Sequence, residues 1–237
     1  MENIKIYVAN LGKYVEGCGV GTWVNLPVSP EQLAEDLKSI GIDGVHYEEY
    51  AIHDYEVPVK GLTIGEYTSI EKLNEVAEAI EGLTDSELEQ VEAYCEATGY
   101  DVADVLLSGE WEDAMYLYLD GYAEHDDLAY AYLDEIGGVD TLDHDTLARY
   151  FDWEAFARDL SFDRDMLCED MDDEDKDHYE DMDDMDFAEY YVDNIGGLDQ
   201  LDHSTLCNYF DFGSYGYDMT LEGWDICREH NVAVYTY

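Results

Sequence analysis

The chain has 237 residues, 46% of them hydrophobic, with 60 Asp and Glu against 10 Lys and Arg and a formal net charge of −50 at pH 7. That much apolar material builds folded cores, so disorder throughout is excluded, and the length holds one large domain or a row of small ones. Like charge on this scale opposes compaction by self-repulsion and denies the chain the basic face a DNA or RNA binder needs, so nucleic acid is excluded as a partner.

From the N-terminus, Ile4 to Leu11 is rich in β-formers, and Gly12 to Gly17 predicts a turn. A second strand starts at Gly21 and stops at Pro27. Ser29-Pro30-Glu31-Gln32 then predicts a helix start, with Ser29 as N-cap, Pro30 at the first helical position and Gln32 at the capping-box position. Leu33, Leu37 and Ile40 form its apolar stripe, and Gly41 stops it. A third strand within Tyr47 to Val59 completes a β-β-α-β module over residues 1–62.

Residues 63–127 predict an acidic helical module. Thr68-Ser69-Ile70-Glu71 and Thr84-Asp85-Ser86-Glu87 both have capping-box spacing, and each is followed by apolar residues at helical intervals. Further helices are predicted over Val102–Leu107 and Glu112–Leu119. Between positions 61 and 127 the chain carries 19 acidic residues and one lysine, Lys72.

Beyond this block the text repeats. Leu128–Cys168 returns as Phe187–Cys227, shifted by 59 positions, with 17 of 41 residues identical and no gap. Ile136-Gly137-Gly138 matches Ile195-Gly196-Gly197, Asp143-His144 matches Asp202-His203, and Tyr150-Phe151-Asp152 matches Tyr209-Phe210-Asp211. One supersecondary unit has therefore been built twice, over 128–168 and 187–237. The doubled glycines predict helix stops, and Asp143 and Asp202 predict N-caps. Only the second copy ends in a closing strand, Val232 to Tyr237. Between the copies, 12 of the 18 residues of 169–186 are Asp or Glu, a linker or an acidic helix.

Chemistry-bearing motifs do not emerge. Asp170, Asp172 and Glu174 have the look of a calcium loop, but the required glycine is missing and Lys176 and Asp177 stand in its way. His144 and His203 follow N-cap aspartates and lack companion ligands. Five dispersed cysteines, without a C-x-x-C pair, predict reduced thiols. No catalytic, cofactor or metal residue is assigned. The 22 tyrosines fill thin cores with their hydroxyls at the surface. With no basic, apolar leader and no run of about eighteen apolar residues, the expectation is a cytoplasmic protein with no membrane partner.

Fifty negative charges equal those on roughly 85 Å of duplex DNA, at one charge per about 1.7 Å of axis. Adaptation to high salt also yields acidic chains, but spreads acid evenly. Here residues 1–60 have ten acidic and four basic side chains, whereas 128–237 have 31 and five.

Several stretches resemble the ArdA antirestriction family: Ile6-Tyr7-Val8-Ala9-Asn10-Leu11-Gly12-Lys13-Tyr14, then Tyr47-Glu48-Glu49-Tyr50-Ala51-Ile52-His53-Asp54-Tyr55-Glu56, then Ile64-Gly65-Glu66-Tyr67-Thr68-Ser69-Ile70. The stretch Tyr150 to Leu160 is similar in kind. The resemblance implies a protein of mobile elements that mimics B-form DNA and inhibits Type I restriction-modification enzymes, with an elongated three-domain subunit forming a curved dimer. Family members end after one copy of the repeat, and this chain departs from them there. The expected fold is α+β, an elongated string of small modules. A homodimer fits; so does a second copy that stacks on the first, or one that folds back and replaces a dimer partner.

The expected partner is the DNA-binding groove of a Type I restriction-modification enzyme, met by carboxylates standing in for phosphates. Those singled out are Glu110, Glu112, Asp113, Asp120, Glu124, Asp126 and Asp127, then Asp170, Asp172, Asp173, Glu174, Asp175, Asp177, Glu180, Asp181, Asp183, Asp184 and Asp186. The alternative is an acidic protein that inhibits or chaperones another basic partner, such as a nucleoid protein or a CRISPR effector.

Overall fold

The computed structural model describes residues 3–168 and 182–236. Asp170, Asp172, Asp173, Glu174, Asp175, Asp177, Glu180 and Asp181, with the order expected or doubted for their segment, lie outside the described residues. The chain divides into two compact units, residues 1–116 with 234–237, and residues 117–233. Helices and two small three-stranded sheets make it α+β.

In the first unit, β1 (Lys5–Asn10) is the middle strand of an antiparallel sheet, between β2 (Gly21–Asn25) and β3 (Tyr50–Glu56). Alternation accounts for its place: Ile6 and Val8 are buried on one face, while Lys5 and Tyr7 lie half-exposed on the other. The turn predicted after β1 is instead a short helix, α1 (Leu11–Val15), because Asn10 caps it by accepting from the Lys13 amide at 3.0 Å. Asn10 is fully buried, and its Nδ2 donates to the Ile40 carbonyl at 3.2 Å, tying the sheet to the end of α2 (Pro30–Ser39). Ser29 caps α2 as its sequence predicts, accepting from Gln32 N at 3.2 Å, while the Gln32 side chain turns to Asp36.

Three helices follow: α3 (Ile70–Glu81), α4 (Asp85–Thr98) and α5 (Val102–Ser108), with α5 packed on both of the others. The cap of α3 is Ser69, one residue past the predicted Thr68, whose hydroxyl accepts from Gly65 N instead. The helix expected over 112–119 is absent. A single 3-10 turn, Glu110–Asp113, leads into strand β4 (Met115–Tyr118). Period-two burial from Leu117 on explains the change: Leu117 and Leu119 are buried, whereas Tyr118 between them and Asp120 after them are exposed. The ladder partner that satisfies the strand comes from the far end of the sequence, since the second sheet has the order β4-β6-β5, with β5 at Trp224–Cys227 and β6 at Val232–Tyr235.

The two repeat copies make up most of the second unit. Copy one gives α6 (His125–Ile136), α7 (His144–Tyr150) and α8 (Trp153–Cys168); copy two gives α9 (Asp184–Ile195), α10 (His203–Tyr209) and α11 (Phe212–Leu221). Both double glycines lie at positive φ, 103° and 111° at Gly137 and Gly138, 102° and 118° at Gly196 and Gly197, so the repeated helix stops are repeated conformations. Each copy's last helix packs on the first helix of the other, α8 on α9 and α11 on α6. A single apolar core results, with Leu147 and Leu206 both fully buried in it. The repeat's last shared residue is not structurally equivalent: Cys168 ends a helix and Cys227 lies in β5.

Candidate functional site

Helices α3 and α4 sort their side chains by face. On α3 the buried stripe is Ile70, Leu73, Val76, Ala77 and Ile80, and the exposed face carries Glu71, Glu75 and Glu78, at i, i+4 and i+7. On α4 the reciprocal capping box of Thr84 and Glu87 fixes the first turn, with Glu87 N to Thr84 Oγ1 at 3.3 Å and Thr84 N to Glu87 Oε2 at 2.7 Å. Those bonds hold the Glu87 carboxyl below its ordinary range, the Thr84 amide contributing most. Leu88, Val91 and Tyr94 face inward; Asp85, Glu89, Glu92 and Glu96 follow at i, i+4, i+7 and i+11. Glu92 is half-buried and accepts from the Lys60 amide at 2.6 Å, while Asp85, Glu89 and Glu96 are exposed. At about 1.5 Å of rise per residue, successive positions in each row stand roughly 4.5–6 Å apart along the axis. These rows were not among the carboxylates singled out from sequence, although their spacing was there to be read.

The singled-out carboxylates divide into two kinds. Glu110, Glu112, Asp113, Asp120, Asp126 and Asp186 are exposed. Glu110 and Asp113 border an open depression of about 380 Å³ shared with Tyr94, Tyr100, Ala114 and Thr236. Others have structural work. Half-buried Asp127 accepts from the amides of Tyr122 and Glu124, at 3.1 and 3.0 Å, and so closes the start of α6. Glu124 pairs with Arg228 at 3.2 Å. Asp183 caps α9 by accepting from Asp186 N at 2.9 Å. Asp184 pairs with Arg164 at 3.2 Å, and that guanidinium also donates to the Met182 and Asp183 carbonyls and lies 4.4 Å from the Phe187 ring centre. Asp183, Asp184 and Asp186 are thus brought to one helix start, where a cation on α8 meets them.

Where cations occur they tend to be paired. Lys5 meets Glu56 at 3.0 Å, Lys72 meets Asp104 at 2.9 Å, Arg149 meets Asp218 at 2.6 Å and Arg158 meets Asp159 at 3.1 Å. Such exposed pairs add little stability. Their effect on the surface field is to cancel positive charge locally and leave the unpaired carboxylates to set its sign.

The repeated polar residues meet across the two copies. Asp152 N donates to the Tyr209 carbonyl at 2.6 Å, and Asp211 N donates to the Tyr150 carbonyl at 2.7 Å, on either side of an antiparallel bridge between Phe151 and Phe210. The Tyr150 hydroxyl donates to Asp218 at 2.7 Å and the Tyr209 hydroxyl to Asp159 at 3.1 Å. Burial first, then Asp218, pushes Tyr150 up to about 12.

One contact breaks the correspondence. His203 Nδ1 lies 2.7 Å from Asp140 of copy one and its Nε2 lies 3.4 Å from Cys207. At the corresponding place copy one has His144 and Ala148, and Asp199 accepts from Gln200 instead. Burial and the Asp140 carboxylate push the Cys207 thiol up, which favours its protonated, donating form. The sequence hides this triplet because its carboxylate comes from the other copy, 63 residues away. Both histidines do occupy helix starts, and Asp143 and Asp202 do cap those helices, each accepting from two amides at 3.0–3.2 Å. Among the described residues no three His, Cys, Asp or Glu side chains form a group that could hold a metal ion, and no helix is long and apolar enough to cross a membrane.

A family model described as Antirestriction protein (ArdA) matches residues 6–171, from β1 through copy one. No curated protein matches the chain.

Proposed function

For a chain that belongs, over residues 6–171, to the ArdA family of antirestriction proteins, we propose that it works as a DNA mimic in the DNA-binding groove of a Type I restriction-modification enzyme. The observation that carries this is the pair of exposed carboxylate rows, Glu71, Glu75 and Glu78 on α3 and Asp85, Glu89 and Glu96 on α4, on helices whose opposite faces are locked in the core. A groove lined by Lys and Arg recognises phosphates by charge and position, with little regard to sequence, and carboxylates at short, fixed intervals offer it the same charge. Rigid presentation matters because side chains already positioned lose less entropy on binding.

Inhibition on this reading is occupation, with no covalent step by the protein. The exposed members of the singled-out set, Glu110, Glu112 and Asp113 in the first unit and Asp120, Asp126 and Asp186 in the second, add negative charge to the surface of their own units. Asp127 and Asp183 act indirectly, by fixing the starts of α6 and α9. The test is competition: purified Type I enzyme bound to labelled duplex is titrated with the protein at several salt concentrations. The protein should displace the duplex, less well as salt rises. Failure at stoichiometric excess in low salt ends the proposal, and retention of a nucleoid protein or a CRISPR effector from lysate in its place would move the function to another basic partner.

A further inference from the structure

We propose that copy two of the repeat is the partner of copy one, carried in the same chain, so that the protein is a monomer in which this interface is already occupied. The inference stands whether or not the acidic faces bind an enzyme.

Its basis is that contacts between the copies come in reciprocal pairs. When a segment of copy one touches a segment of copy two, the corresponding segments touch with the roles exchanged. The exchange of terminal helices, α8 onto α9 and α11 onto α6, is one such pair. The two backbone bonds beside Phe151 and Phe210 are another, and the hydroxyls of Tyr150 and Tyr209 on Asp218 and Asp159 a third. Helix α7 likewise packs on the 3-10 turn Leu198–Gln200, and α10 on its counterpart Val139–Thr141. Reciprocity of this kind defines an isologous interface, in which residue i meets j and j meets i; between separate chains it generates a twofold dimer. Here both halves lie on one polypeptide.

The interface is not optional for either half. Leu147 of copy one and Leu206 of copy two are fully buried in a core built from both. Either copy alone would expose that apolar face to water, which an acidic surface cannot compensate. What fits the face is therefore another copy of the same unit. The family model ends at residue 171, with one copy inside it, and the remaining chain supplies the other. Close fit reaches the backbone: a Cβ at Gly216 of α11 would run into the His125 carbonyl at the start of α6. The copies are fitted to each other rather than merely tethered, as the Asp140–His203–Cys207 contact, which has no twofold counterpart, also shows.

Sedimentation equilibrium of the full chain over about a hundredfold range of concentration decides the matter, because mass action drives any reversible dimer apart on dilution. A single species near 27.1 kDa throughout is expected, and a mass that doubles on concentration overturns the proposal. A second measurement reads the interface itself. In a chain whose native cysteines are serine, Asp140→Cys and His203→Cys are joined by a short bifunctional thiol reagent. The product should run as a cross-linked monomer at every concentration. Cross-linked dimer as the main product would show that the copies pair between chains, and would overturn the proposal even if the dimer dissociates too slowly for sedimentation to detect.

Discussion

The acidic helices α3 and α4 and the duplicated module are both rich in carboxylates, yet they use them differently. On α3 and α4 core and charge occupy opposite faces, and most of the carboxylates at the spaced positions are exposed, Glu92 being the exception that binds the Lys60 amide. In the module many aspartates are fasteners: Asp143 and Asp202 cap helices, and Asp159 and Asp218 receive tyrosine hydroxyls from the opposite copy. Negative charge is thus one resource with two uses. A side chain whose oxygens already accept two or three bonds is fixed, partly screened and structural, whereas an unengaged one is available to a cationic partner.

Breaking the fasteners and breaking the exposed rows should have opposite signatures. The largest expected effect is in the shared core: Leu147→Ala and Leu206→Ala should each lower unfolding free energy by about 2–5 kcal/mol in urea titrations, with similar values for the two. A large loss for one and none for the other would mean that the copies do not share a core. Changing Glu71, Glu75, Glu78, Asp85, Glu89 and Glu96 together to their amides should do the reverse. Stability should hold or rise as self-repulsion falls, while affinity for the enzyme drops about a hundredfold at low salt, at roughly 0.5 kcal/mol per exposed contact. Any one of these six changes alone should be hard to detect.

Next in size are the caps. Asp143→Ala and Asp202→Ala should each lower stability near neutral pH, by less than either core substitution. The carboxyls of Asp143 and Asp202 are held below their ordinary value, first by the hydroxyls and then by the amides of Thr146 and Thr205. A depressed folded value means the contribution is complete above the ordinary carboxylate range and disappears as pH falls through the lowered value. The difference between wild type and either variant should therefore shrink in acid, and a constant difference would argue against a charged cap.

The smallest effect at neutral pH is in the tyrosines. Tyr150 is pushed up to about 12 by burial and by Asp218, and Tyr215 to about 12 chiefly by burial. Raised folded values give stability that is whole below about 10 and is lost as pH rises toward 12. Ultraviolet titration should show two phenols ionising late, and Tyr150→Phe should remove one of them and lessen the alkaline loss of stability.

Local chemistry was legible wherever it depended on neighbours in sequence. The caps Ser29, Thr84, Asp143 and Asp202, the double-glycine stops and the strands of the first sheet all rest on a few adjacent residues, and each lies where its motif predicts. The expected helix over 112–119 failed for the opposite reason, since its ladder partner β6 lies more than a hundred residues on and no local signal reports it. The proposed surface was only partly legible: the excess of negative charge is written in the composition, but the choice of residues followed acidic density, which does not distinguish the cap Asp127 from the exposed Asp126.

By itself, then, the sequence determined the sign of the surface, the helices that carry it, the family and the fact of duplication, because each is written in composition, periodicity or self-similarity. Only the tertiary structure decided what the duplication does. The exchange of α8 and α11 between copies, and the sorting of aspartates into fasteners and free charge, depend on which faces meet in space, and hydrophobic burial settles that for the chain as a whole.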